Sequence, residues 1–255
     1  MHCNDELSAA NAAVNSGVGL IRCVFPDAAY SAIASKLTEP LTIPLKSTPE
    51  GFLSFRNVEY ISRLMDDSTA ILLGCGLGFS EDTVKLTEFI IKNAKIPVII
   101  DADGINALST NINILKEAQA PIILTPHPGE MSRLCGKSIA EIISNPVSVA
   151  YEFAQAHGVT VVLKGANTVV CGTEENEIYI NSTGNAGLAR GGSGDLLSGM
   201  VVSLLAQGMK PFDAAVCAVY LHGLAADEVA EKTSMRGMLP SDILKALPEF
   251  FSKFE

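Results

Sequence analysis

Positive charge is in short supply: 18 Lys and Arg stand against 28 Asp and Glu, a formal charge of −10. A nucleic-acid surface needs the opposite sign, and so does an anionic membrane, so both are excluded as partners. Charged residues make up only 18% of the chain against 48% hydrophobic, a balance that disordered chains lack. The six cysteines, at 3, 23, 75, 135, 171 and 217, never form C-x-x-C or another close spacing. That removes a zinc ribbon and a disulfide framework, and the thiols read as small buried apolar residues of a reducing compartment. The opening Met1-His2-Cys3-Asn4-Asp5-Glu6 has no basic segment followed by an apolar one, so no signal peptide is expected. The longest apolar stretch, Leu196 to Met209, is interrupted by Ser and Gln and falls short of the roughly 18 residues of a spanning helix. The expectation is a soluble, cytoplasmic protein.

What is present is a rhythm. Four short runs, Ala70–Gly74, Pro97–Asp101, Pro121–Thr125 and Val159–Lys164, are apolar without alternation and stop at polar or glycine-bearing turns, the pattern of strands buried on both faces. Between them, helical patterns cover about residues 80–93, 104–117 and 128–157. The last divides at Asn145-Pro146, a cap followed by a first-turn proline, and Ser138-Ile-Ala-Glu141 reads as a capping box. Strand, helix, strand in this order predicts right-handed crossovers and a mainly parallel sheet covered on both faces. Thr168–Cys171 and Glu177–Ile180, joined by a polar turn, read as an antiparallel hairpin on that sheet. Helices follow at about 193–207, 211–232 and 240–248. No repeat or linker interrupts the pattern, so residues 1–255 are read as one α/β domain.

Open parallel sheets bind ligands beyond the carboxyl ends of their strands, and the informative residues stand just after the apolar runs. The segment Asn181-Ser-Thr-Gly-Asn-Ala-Gly-Leu-Ala-Arg190-Gly191-Gly192-Ser193-Gly194-Asp195 runs directly into an apolar helix. Gly191, Gly192, Ser193 and Gly194 can turn backbone N–H groups toward one point, an anion hole suited to phosphate. Asp195 then falls in the first helical turn, where it can take a proton from a hydroxyl attacking phosphorus. A flexible turn with an ordinary capping Asp is the plainer alternative. In Thr125-Pro-His127-Pro-Gly-Glu130, two prolines stiffen the loop. His127 is placed to hydrogen-bond a polar substrate and Glu130 to hold magnesium through water, unless they are a surface His and a capping Glu. Asp101 and Asp103 divide between magnesium-bound water or an oriented hydroxyl on one side and helix capping on the other. Lys164-Gly165-Ala166-Asn167-Thr168 suits a nucleotide phosphate or base edge, or simply a β-turn. His2, His157 and His222 are isolated and read as structural.

Rival motifs fail. No Lys-Ser or Lys-Thr follows the glycines, as a P-loop requires, and Asp195 occupies the glycine position of a nucleophile elbow. Gly74-Cys-Gly76-Leu-Gly78 has G-x-G-x-G spacing, weak as a dinucleotide fingerprint but suited to close backbone approach.

Together, G-x-G-L-G, D-A-D, T-P-H-P-G-E, L-K-G-A-N-T and N-x-T-G-N-x-G-x-A-x-G-G-S-G-D resemble the NAD(P)H-hydrate dehydratases of the ribokinase-like superfamily, over about residues 8 to 248. The resemblance implies a three-layer α/β/α sandwich. It also implies repair of NADHX or NADPHX, S-epimer, by phosphorylation of the ring hydroxyl from ADP or ATP with Mg2+ and loss of phosphate. By the same resemblance Lys164, Gly165, Ala166, Asn167, Thr168 and Gly194 contact the adenine nucleotide. Asp195 is the base beside the hydrated ring, and Gly78 and His127 contact the hydrate. No cysteine is implicated and no metal ligand is named. A homotetramer is implied, with a separate epimerase as pathway partner because no epimerase domain is fused here. The sequence departs from the pattern at Cys75, usually proline, and at Arg190, usually small. It also departs at the start, where an opening strand is missing and the position that meets the hydrate falls about Asp5, to which no role is transferred. The alternatives are a hydroxyethylthiazole-type kinase, which shares the Gly-Gly-Ser-Gly-Asp end, and a non-catalytic ADP-binding relative.

Overall fold

The structure is a computed structural model describing residues 3–253, with side chains from Leu7 onward. The readings of Met1 and His2 fall outside the described residues, and no side chain is described at Asp5. The chain opens with α1 (Cys3–Asn15), which ends where Ser16 Oγ bonds back to Ala12 O and Gly17 takes φ +97°. β1 (Arg22–Pro26), α2 (Tyr30–Ala34) and β2 (Leu41–Leu45) follow, β1 and β2 pairing in parallel. α3 (Val58–Asp66) leads into a six-stranded sheet of β3 (Ile71–Leu73), β4 (Val98–Ile100), β5 (Ile122–Leu124), β6 (Thr160–Leu163), β7 (Val169–Cys171) and β8 (Ile178–Ile180), in that spatial order. β3 to β6 are parallel, and β7 and β8 add antiparallel pairs. The expected parallel sheet with an appended hairpin is what forms.

Why the strand runs are apolar without alternation is visible in the packing. Val98, Ile100, Ile122, Leu124, Val161 and Leu163 face one core. With them pack α3, α4 (Glu81–Asn93), α5 (Ala102–Leu108), α6 (Pro128–Cys135), α7 (Ile139–Ser144) and α8 (Pro146–His157). The intervening Ile99, Ile123, Val162 and Val170 face a second core, packed by α1, α9 (Ser193–Ala206), α10 (Pro211–Lys232) and α11 (Pro240–Phe251). Both faces of each central strand are covered, giving three layers.

Several boundaries differ from expectation. Residues 104–117 form two pieces, because α5 starts at Ala102 and closes at Ser109, before a 3-10 stretch at Ile112–Glu117. Residues 128–157 make three helices: Gly136, at φ +73°, ends α6 before Ser138 starts α7. Ser138 accepts from Glu141 N–H, without the reciprocal half of a capping box, and Asn145 precedes α8 without a side-chain cap bond. Among the described cysteines only Cys171 is fully buried; Cys23, Cys75, Cys135 and Cys217 are partly exposed, and all five are free thiols. β1 and β3 are not paired with each other, and an apolar groove of about 470 Å³ lies between them, lined by Ala10, Ala13, Val24, Leu53, Met65 and Leu72 among others. No described helix is long and apolar enough to cross a membrane.

Candidate active site

The loops singled out from sequence converge where β3, β4, β5 and β6 end and α9 begins. Beyond β3, Gly74 adopts φ +125°, and a Cβ there would lie 1.9 Å from Asp101 O, so both conformation and space call for glycine. Gly78, at φ +73°, has no room either, since its Cβ would meet the Phe52 ring at 2.5 Å. Its N–H donates to Asp103 Oδ2 at 2.8 Å. The glycines therefore serve close approach, as expected, but the approaching groups include the protein's own backbone and Phe52. Asp103 tethers the Gly78 loop, while Asp101 caps α5 by accepting Ala102 N–H at 2.8 Å.

Asp101, 1% exposed, is the hub of the site. Oδ1 also accepts from Lys164 Nζ at 2.8 Å, and Oδ2 accepts from Ser198 Oγ of α9 at 2.6 Å. Burial pushes this carboxyl up, but Lys164 and the hydroxyls of Ser198 and Thr125 outweigh it and hold the acid below its usual range. Burial likewise pushes Lys164 down, and Asp101 with Glu130, whose Oε2 lies 4.0 Å away, more than restores the ammonium. The pair is ionised on both sides.

His127 and Glu130 form a reciprocal cap at the start of α6. His127 Nδ1 accepts from Gly129 N–H at 3.0 Å and Glu130 N–H at 3.3 Å, and His127 N–H donates to Glu130 Oε2 at 2.8 Å. Glu130 is thus the capping Glu, and the same bonds leave His127 Nε2 as the nitrogen that carries the proton. Burial first, then Lys164 and Arg133, hold this imidazole below its ordinary range, so it is neutral at pH 7. Its side chain remains 53% exposed, open to a ligand.

Lys164 N–H bonds to Pro126 O at 2.8 Å, which sets this lysine beside the His127 loop. Gly165, Ala166 and Asn167 then turn through solvent, and Thr168 Oγ1 closes the turn on Gly165 O at 3.3 Å. The β-turn alternative describes this segment's conformation, and Lys164 alone of its residues reaches the hub.

At the head of α9, Gly191 is exposed, Gly192 occupies the N-cap at φ +91° with no side-chain cap, and Ser193 Oγ is buried without a partner. Gly194 lies so close to Lys164 that a Cβ would stand 3.1 Å from Nζ. Asp195 is 9% exposed in the first turn. Arg190 turns away from the glycines to bond Arg236 O.

Two features went unread in the sequence. The first is the role of Cys75, which the sequence marks only as standing where proline is usual: it hydrogen-bonds Asp195, and potential ligand atoms of Cys75, Asp101 and Asp195 all lie within 4.8 Å. Burial, then the two carboxylates, push this thiol well above its usual range, so it stays S–H. Asp227 of α10 was not singled out; it accepts from Gly184 N–H at 2.8 Å and Asn185 Nδ2 at 2.9 Å, anchoring the approach to the glycine loop. The repeated Asn and Thr of that approach were the available signal.

Known proteins resemble this chain in sequence and in fold. A family model described as NAD(P)H-hydrate dehydratase matches residues 6–249. A bifunctional NAD(P)H-hydrate repair enzyme from Moorella thermoacetica is 37% identical over 247 residues, covering 97% of this chain and 46% of that protein. An ADP-dependent (S)-NAD(P)H-hydrate dehydratase from Neisseria meningitidis is 41% identical over 184 residues, covering 71% of this chain and 62% of that protein. The chain thus spans about half the length of the curated relatives it matches. The solved Bacillus subtilis ADP/ATP-dependent NAD(P)H-hydrate dehydratase, co-crystallised with ATP/Mg2+, overlays with a TM-score of 0.80 at 28% identity, covering 99% of this chain and 88% of that one. With its ribokinase-like three-layer fold and a match over nearly its whole described length, this chain belongs to the NAD(P)H-hydrate dehydratase family.

Proposed function

We propose that the chain restores NADH or NADPH from the S-epimer of NADHX or NADPHX, with ADP or ATP as phosphoryl donor. The observation that carries this reading is the placement of Asp195 in the first turn of α9, directly after the Gly191–Gly194 loop and with Lys164 against Gly194. A carboxylate beside an anion-binding helix start suits proton removal from a hydroxyl as that hydroxyl attacks phosphorus. The nucleotide departs from phosphorus, and the ring then loses phosphate from one carbon and a proton from the next as the double bond returns.

In this reading Gly191, Gly192, Ser193 and Gly194 hold the transferred phosphate. Lys164, Gly165, Ala166, Asn167, Thr168 and Gly194 hold the nucleotide. Gly78 and His127 meet the hydrated ring, His127 as a neutral Nε2–H donor. Mg2+ would arrive on the nucleotide's phosphates and keep its waters, as this ion prefers. Both oxygens of Asp101 and Oε2 of Glu130 are already engaged by Lys164, Ser198 and His127 N–H. When bound, the ion would neutralise charge on the phosphates.

We further infer a cytoplasmic homo-oligomer, a tetramer, working with an epimerase activity that converts the other hydrate epimer. The apolar groove between β1 and β3 supports the reading that the domain's sheet lacks one strand. The test is to incubate the protein with NADHX, Mg2+ and either ADP or ATP and follow absorbance of the reduced ring. A nucleotide-dependent rise is expected, and Asp195→Asn should cut turnover about 10²–10⁴-fold with little change in nucleotide affinity. A stable phosphorylated product would instead indicate a kinase, and ADP binding without turnover a non-catalytic relative.

A further inference from the structure

Lys164 occupies an electrostatically costly place. Its ammonium is packed against Gly194 at the N-terminal end of a 14-residue helix, where the helix itself contributes positive potential. Only a fifth of the side chain reaches solvent, so water does little to stabilise the charge. Asp101 makes the arrangement tolerable, and the surrounding backbone is shaped to keep Asp101 still. Ala102, directly after it, takes φ +46°, a left-handed conformation that alanine adopts at a cost. Gly74 admits no Cβ because of Asp101 O. Ser198 reaches across from α9 to fix Oδ2.

Building on the proposed nucleotide site, we propose that Asp101 is a positioning residue that keeps Lys164 charged and aimed at the Gly191–Gly194 loop, where the ammonium meets the nucleotide's phosphate oxygens. A cation and a helix N-terminus facing the same point make a phosphate site stronger than either alone. Asp101 touches neither nucleotide nor ring; it acts through Lys164.

Around this ammonium stand Asp101 after β4, Glu130 on α6 with His127 at its N-cap, Cys75 after β3 and His222 on α10, with the Asp195 carboxylate of α9 within 4.8 Å of that of Asp101. Of these, Asp101 and Glu130 are the anions that support the charge, and burial opposes it. Removing the Asp101 charge therefore lets burial lower the lysine, and the ammonium is lost as pH rises through the lowered value. In the wild-type protein the ammonium persists beyond the ordinary lysine value of 10.5.

The test is ADP binding by calorimetry from pH 7 to pH 9.5 for the wild type, Asp101→Asn, and Asp101→Asn combined with Lys164→Arg, an arginine being unable to deprotonate in this range. Wild-type affinity should be nearly flat in pH. Asp101→Asn should bind ADP at least tenfold more weakly, worsening as pH rises, and the double variant should regain a flat profile. Adenosine, which has no phosphate, should bind all three alike. Equal ADP affinity in Asp101→Asn, a pH profile unchanged by the arginine, or an equal loss of adenosine binding would overturn the proposal, the last marking a merely structural role. A wild type that binds ADP but leaves NADHX untouched would refute the dehydratase reading and leave this test intact. A wild type that does not bind ADP would overturn both.

Discussion

The charge of Lys164 reaches beyond its partner Asp101, and His222 shows the consequence. This imidazole is 6% exposed on α10, its Nε2 is buried without a hydrogen-bond partner, and burial, followed by Lys164, pushes its pKa to about 4. It is therefore neutral in the fold while an unfolded histidine titrates near 6.5. Above pH 6.5 both states are neutral and the burial is tolerated. As pH falls from 6.5 toward 4 the unfolded chain takes up a proton that the folded one refuses, so stability declines across that window. The shift corresponds to about 3 kcal/mol. His222→Gln removes the titration and should lose about that much less stability than the wild type between pH 7 and pH 4, measured by urea unfolding at each pH. Equal losses in the two proteins would show that His222 does not titrate as its surroundings require. The sequence alone classes His222 as isolated and structural; its burial, and after that a lysine 58 positions away, set how readily it charges.

Among the elements, α9 joins the site to the core. It begins at the glycine loop, carries Asp195 and Ser198 toward the strand ends, and packs α1 along its outer side. That packing is close enough that a Cβ on Gly199 would fall 2.2 Å from Ala9 O and 2.9 Å from Ala12 Cβ. Gly199→Ala should therefore force α1 and α9 apart and destabilise the protein by about 1–3 kcal/mol, read as a lower urea midpoint. Little change would mean that α1 shifts freely. The strands β3 to β6 were legible because burial on both faces leaves a continuous apolar run, a signal local to four or five residues. β1 and β2 were not, since Arg22-Cys-Val-Phe-Pro26 and Leu41-Thr-Ile-Pro-Leu45 mix polar residues and proline and are mostly partly exposed. The site divides in the same way. Its glycine loop and stiff His127 loop are local motifs, whereas Asp101 with Lys164 and Cys75 with Asp195 are partners across 63 and 120 positions, and only the topology brings them together.

At the scale of the whole molecule, the apolar contacts among the described residues divide into two large clusters and a small one. Two sandwich the six-stranded sheet. The third, Leu7, Ala10, Phe25, Ala29, Ile33 and Leu37, gathers under β1, α1 and α2. β1 and β2 bond only to each other among the described strands, and the apolar groove separates them from β3. A two-stranded sheet is marginal by itself, so this corner depends on its small cluster, on α1 held against α9, and on Val24 and Leu45, which pack partly buried against the first large cluster. One of the few polar ties across the gap is Arg22 Nη1 to Asp67 O at 3.0 Å, near the surface and open to water. Local opening there should need less free energy than global unfolding, because little apolar area is exposed. Native-state hydrogen exchange should show the amides of residues 22–26 and 41–45 exchanging at least tenfold faster than those of β4, β5 and β6. Their exchange should also be insensitive to low urea, as expected for openings that expose little surface. Equal protection in both regions would mean that the corner and the main sheet unfold as one unit despite the groove. The site would be spared by such an opening, since Asp101, Lys164 and Asp195 all hang on the two large clusters.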